Sequence, residues 1–137
     1  MSTNALHQIC DNESKLARYA IDYAASPSPA AATAIRALIG RNLAIESDVL
    51  RPQAMELGIA DVFVDSVDQL AEMQKALADG ETSVDDVADE LMTITSSRAS
   101  YFGEVIAPRF EEVLTPELLD RLALQIAPYG DDYHVHA

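Results

Sequence analysis

A chain of 137 residues has the length of one domain and can bury a core without disulfides or a metal. Its 23 acidic against 9 basic residues leave a formal net charge of −14, which repels nucleic-acid phosphates and anionic membrane surfaces, so neither is expected as a partner. No apolar run approaches the roughly 18 residues of a membrane span, the opening MSTNALHQICDNESK lacks the basic and apolar regions of a secretory leader, and Cys10 has no second cysteine to pair with, so a cytoplasmic location is expected.

Periodicity and punctuation predict five helical segments and no strand. The first runs from about Thr3 to Ala25 with an apolar stripe of Ala5, Ile9, Leu16, Tyr19 and Tyr23, and the Ser26-Pro27-Ser28-Pro29 stretch ends it. The second runs from Pro29 to Leu57 on Ile35, Leu38, Ile39, Ile45, Val49 and Leu50, with Pro52 as a bend or interruption and Gly58 as its stop. The third spans Ile59 to Ala78 on Phe63, Val67, Leu70, Met73 and Leu77, and Gly80 closes it. The fourth begins after Thr82 or Ser83, where Asp85 and Asp86 favour a helix N-terminus, and continues to Val113 on Val84, Val87, Leu91, Ile94, Phe102 and Val105. Thr115-Pro116-Glu117-Leu118 has the cap and first-turn proline of a fifth, short helix ending near Ile126. The expected architecture is all-α: an antiparallel up-down-up-down four-helix bundle over residues 1–128, closed by the short fifth helix, with a loose tail over 129–137.

The informative residues interrupt the stripes. Asn12 lies between Ile9 and Leu16, Asn42 between Leu38 and Ile45 with Glu46 one turn later, and Arg98 between Ile94 and Phe102. The third helix holds Leu70 at the equivalent place. Mid-helix residues of an antiparallel bundle share a central layer, so Asn12, Asn42, Leu70 and Arg98 are expected to face one another, with Glu46 and Phe102 roughly 6 Å along the axis. A lone buried charge is expensive, which makes a Glu46–Arg98 ion pair the inward reading. The outward reading lets Arg98 snorkel along its aliphatic stem.

These positions resemble those of the hemerythrin-like domain, a four-helix bundle that holds two irons. The matching strings are Asn42-Leu43-Ala44-Ile45-Glu46 running on to Arg51-Pro52, Arg98-Ala99-Ser100-Tyr101-Phe102 running on to Ala107-Pro108, Leu114-Thr115-Pro116-Glu117-Leu118-Leu119, and Asp11-Asn12 in place of the family's Asp-His. Together they cover about residues 3 to 126. The resemblance implies the fold, and it implies histidine ligands where this chain has Asn12, Asn42, Leu70 and Arg98, and carboxylates where it has Glu46 and Phe102. Iron requires imidazoles and carboxylates, and an arginine places a fixed positive charge where the metal would be, so no metal or other cofactor is expected.

The remaining candidates for chemistry are sparse. His7 has the place of a surface residue, and His134-x-His136, near Asp131 and Asp132, is either a weak metal pair or part of an unstructured tail. Cys10 lacks an activating neighbour and has the pattern of an inert, partly buried thiol. Asp61, Asp65, Asp68 and Glu72, and then Asp85, Asp86, Asp89 and Glu90, form either solvated faces or a docking surface for a basic partner. The expectation is a non-enzymatic, metal-free binding or regulatory module with a protein or small-molecule partner. The alternatives are a metal-binding or redox protein on unusual ligands, such as Glu46 with Glu104 or the tail histidines, and an acidic decoy for a nucleic-acid-binding protein.

Overall fold

The computed structural model describes residues 5–63, 65–80 and 82–129, and all secondary structure among them is helical. Helix α1 is Ala5–Ala25. Helix α2 is a continuous run of three parts: an α-helical Pro29–Ile45, a π-helical turn Glu46–Leu50 and an α-helical Arg51–Leu57. Helix α3 is Asp65–Ala78. Helix α4 repeats the three-part plan, with Ala88–Tyr101, a π-helical turn Phe102–Ile106 and Ala107–Val113. Helix α5 is Pro116–Ile126.

Local chemistry sets the boundaries. The Ser28 hydroxyl accepts from the Ala31 amide at 3.1 Å and Pro29 opens α2, while Thr115 accepts from the Leu118 amide at 3.2 Å and Pro116 opens α5. Gly58 ends α2 at φ 74°, a left-handed conformation open to glycine at little cost, and its amide reaches back to the carbonyls of Ala54 and Met55.

Three boundaries differ from expectation. The third helix starts at Asp65 rather than Ile59, because Ala60–Val62 forms a separate 3₁₀ turn with Ile59 and Val62 buried. The Tyr101 hydroxyl donates to the Val62 carbonyl at 2.6 Å and pins that turn to α4. The α-helical part of the fourth begins at Ala88, since Asp85–Val87 is also a 3₁₀ turn. Tyr129, expected in the loose tail, closes a 3₁₀ turn Ala127–Tyr129, and its hydroxyl lies 3.2 Å from Asp48 Oδ2. His134, His136, Asp131 and Asp132 lie outside the described residues, as do Thr3 and the side chains of Asp65 and Val67.

Helix α1 packs chiefly along α4 and also against α2; α3 packs on α2 and α4, and α5 covers the first part of α1. The core falls into two apolar clusters. One gathers Ala5, Leu6 and Ile9 of α1 with Ile45, Leu50, Phe102, Ile106, Phe110 and the buried face of α5. The other gathers Leu16, Ala20 and Tyr23 with Ile35, Ile39, Leu70, Leu77 and Leu91. Along α1, α2 and α4, buried polar residues separate the two. Tyr19, expected on the first stripe, is exposed, and Ala20 takes its buried place.

Candidate functional site

The buried polar layer is built around Arg98, whose side chain is 1% exposed. Its Nε donates to Glu13 Oε1 at 2.7 Å, its Nη2 reaches Glu13 Oε2 at 3.4 Å, and the same Nη2 lies 2.7 Å from Glu46 Oε1. Both carboxylates are buried with it. The guanidinium also stands over the Phe102 ring, 4.7 Å from its centroid, so the face not engaged by oxygen meets a π-system. The second oxygen of Glu46 accepts from Arg51 Nε at 2.7 Å. Arg51 is half-buried, stacks 4.9 Å from the Phe63 centroid and pairs with Asp68 through its other nitrogen.

A second set of contacts flanks the first. Arg41, 2% exposed, donates from Nε to Asn42 Oδ1 at 3.2 Å, and Asn42 Nδ2 donates to the backbone carbonyl of Asn12 at 3.1 Å. Thr95, also buried, returns its hydroxyl to the Leu91 carbonyl at 2.8 Å and so brings no open polar atom to the layer.

The electrostatics follow from burial. Desolvation raises the pKa of Glu13 above its ordinary 4.5, the Arg98 charge and hydrogen bond oppose that rise, and the like charge of Glu46 adds to it. Burial works against the charge on Arg98, but the two carboxylates outweigh it and hold its pKa above the usual value. Cys10, whose thiol faces the Phe102 carbonyl at 3.7 Å, has its pKa raised by burial and by Asp11 and Glu13, the opposite of an activated nucleophile.

Of the six central residues expected from sequence, the structure brings three into direct contact, Glu46, Arg98 and Phe102, and buries a fourth, Asn42, on Arg41 and the Asn12 carbonyl. Asn12 is corrected: its side chain is half-exposed and only its carbonyl reaches Asn42, because the helix turns Glu13 inward instead. Leu70 is buried but belongs to the apolar cluster of Leu16 and Ile35. Sequence reasoning missed Glu13, Arg41 and Arg51. Spacing alone did not single out Glu13: it lies four residues after Ile9 and three before Leu16, and Asn12 lies three after and four before, so both fit the stripe. His7 is exposed and lies 3.7 Å from Asp11. The acidic rows do not act as one face: Asp68 turns to Arg51, Asp61 lies 3.8 Å from Arg109, and Asp86 closes a reciprocal cap with Ser83.

These residues do not fit the di-iron centre that the family resemblance implies. Arg98 carries donor protons and no lone pair, and the oxygens of Glu13 and Glu46 that would ligate a cation are turned to guanidinium groups. Arg98 also brings the positive charge that a metal would supply. Comparison of the chain with known proteins yields no matching family model, no matching curated protein and no matching solved structure.

Proposed function

We propose that the chain is a metal-free, non-enzymatic member of the hemerythrin-like class: an antiparallel up-down-up-down four-helix bundle with a short fifth helix, acting in the cytoplasm as a binding or regulatory module. One observation carries the reading, the burial of Arg98 between Glu13 and Glu46 at the level where the related bundle would hold its metal. A fixed cation pre-empts the site, and its two carboxylates are already ion-paired with guanidinium groups. The strings around Pro52, Pro108 and Thr115-Pro116-Glu117, which fall in Arg51–Leu57, in Ala107–Val113 and at the start of α5, support the family likeness. The partner is a protein or a small molecule rather than nucleic acid or membrane, in keeping with the charge of −14.

Metal analysis of the chain purified from iron- and zinc-supplemented cells tests this. The expected content is far below one ion per chain, with no oxo-bridged di-iron absorption. Stoichiometric iron would overturn the reading.

A further inference from the structure

The end of α1, the body of α3 and the start of α4 leave an open groove between them, with a volume of about 1140 Å³. Helix α3 lines it with Gln69, Glu72, Met73 and Ala76, which lie at i, i+3, i+4 and i+7 and so form one helical face. The floor is apolar. Met73 is buried, and Val87, Ala88 and Ile94 are half-buried and pack against the cluster of Leu16 and Leu70. Val87 and Ile94, expected on the buried stripe of α4, thus keep part of their surface open to the groove. The rim is acidic: Glu72 on one side faces Asp85, Asp86, Asp89 and Glu90 at the start of α4, all exposed, and no Lys, Arg or His lines the groove among the described residues. The fold uses these carboxylates only in part. Asp89 and Glu90 suit the first turn of α4, and Asp86 caps Ser83. Glu72 lies in the middle of α3, has no such role, and adds a like charge across the gap. Among the described residues, none of Glu72, Asp85, Asp89 and Glu90 is held in an ion pair.

We propose that this groove receives a basic amphipathic helix of a partner protein, its apolar face on Met73, Val87 and Ile94 and its Lys or Arg residues against the carboxylate rim. An apolar floor between two acidic edges is complementary to a helix that is apolar on one face and cationic at its flanks. The space exceeds the roughly 300–1,000 Å³ of small-ligand pockets, and a groove between helices is the form that takes up the apolar face of another helix. A second copy of the chain is a poor occupant, because each copy carries a net charge of −14 and the two repel. The chain's own end is no better, since the residues after Tyr129 include Asp131 and Asp132 and no Lys or Arg. The groove gives the binding-module reading a partner class and rests on that reading for its biological use. Metal analysis tests the centre and peptide titration tests the groove, so either can fail alone.

The test titrates the full ¹⁵N-labelled chain, at an ionic strength of about 0.15 M, with a synthetic peptide about four helical turns long that carries Leu on one face and Lys on the other. A peptide of the same composition, scrambled so that it has no apolar face, is the control. Saturable shifts are expected for amides of residues 69–76 and 85–94, and the scrambled peptide should bind about tenfold or more weakly, for want of a contiguous apolar surface to bury. Glu72→Gln with Glu90→Gln, both exposed, should weaken binding about fivefold, the effect of two screened surface ion pairs. Glu111→Gln with Glu117→Gln removes the same charge away from the groove and should leave binding unchanged. Absence of saturable shifts, equal binding of the scrambled peptide, or an equal loss in the Glu111 and Glu117 variant overturns the proposal. Spermine is titrated in parallel. If it saturates the same amides at concentrations as low as the peptide requires, the groove serves a small polyamine and the proposal falls; weaker binding of spermine supports a partner helix.

Discussion

Arg98 holds two carboxylates at once, and that changes what its removal should do. Arg98→Leu leaves Glu13 and Glu46 buried without their shared cation, and breaking such a buried pair costs about 3–5 kcal/mol. Removing Glu46 as well does not repair the damage, because Glu13 remains buried without its hydrogen-bonded cation and Arg51 loses its inner partner. Urea denaturation of Arg98→Leu and of Arg98→Leu with Glu46→Leu should therefore give similar losses. Recovery in the double variant would mean that Glu13 is not a full partner. Glu13 also predicts a pH dependence. Its folded pKa is raised above 4.5, so between that value and its folded pKa the folded chain keeps a proton that the unfolded chain has released. Its contribution to stability is full below about 4.5 and is lost as pH rises through the folded pKa. Glu13→Gln stays neutral throughout, so its stability relative to the parent should improve from about pH 4 to pH 8. Parallel urea midpoints across that range would show that the carboxyl is not perturbed.

The two π-helical turns explain how α2 and α4 pass through Pro52 and Pro108 and still present a buried stripe. In each, an amide bonds five residues back: Arg51 to the Glu46 carbonyl and Ala107 to the Phe102 carbonyl. Glu46, Leu50 and Ala54 are buried at spacings of four, as are Phe102, Ile106 and Phe110. A regular α-helix would rotate such a series by about 40° per step, and the wider turn takes part of that drift back. The prolines sit just after each π turn on the solvent side, and the residues four before them, Asp48 and Glu104, are exposed, so carbonyls left without a proline N–H meet water. An interior helix proline ordinarily costs about 3 kcal/mol. Here Pro108→Ala should change stability by less than about 1 kcal/mol in chemical denaturation, since the turn has already absorbed the clash. A gain near the full cost would show that the proline strains the helix. This level of the structure was only partly legible in sequence. Pro52 marked where α2 changes, and the cap at Thr115 was plain, because those are local effects. The π turns and the 3₁₀ turn at Ala60–Val62 depend on which faces find partners, such as the Val62 carbonyl taken by Tyr101, and no local pattern encodes that. Asn12 illustrates the same limit at the site. Its stripe position and the string match both pointed to it, and only the burial of Ala17 and Ala20 shows that the inward face is turned toward Glu13.

At the scale of the whole molecule, the ion layer divides the core. The apolar cluster of Leu6, Ile9, Phe102 and Phe110 and that of Leu16, Ile35, Leu70 and Leu91 are each continuous, and the layer of Glu13, Asn42, Glu46 and Arg98 stands between them. Desolvating these charges opposes folding, and their mutual attraction offsets that cost without exceeding what apolar packing would supply. Replacing all three ions together, as Glu13→Leu, Glu46→Leu and Arg98→Met, should join the clusters into one core. Of the neighbouring cations, Arg51 keeps Asp68 and Arg41 keeps its hydrogen bond to Asn42. Urea denaturation is then expected to show stability equal to the parent or higher by about 1–4 kcal/mol, in contrast to the loss from Arg98→Leu alone. Cooperativity separates the two roles the layer can have. If it only fills the centre of the helices, the triple variant unfolds in one sharp transition with dispersed amide signals. If it fixes the register of α1 against α2 and α4, the triple variant keeps its helicity but broadens its transition and binds a hydrophobic dye, as a core without a unique packing does. A triple variant as unstable as the single one would show that the ions contribute more than their own compensation, and that the layer holds the bundle together rather than merely filling its centre.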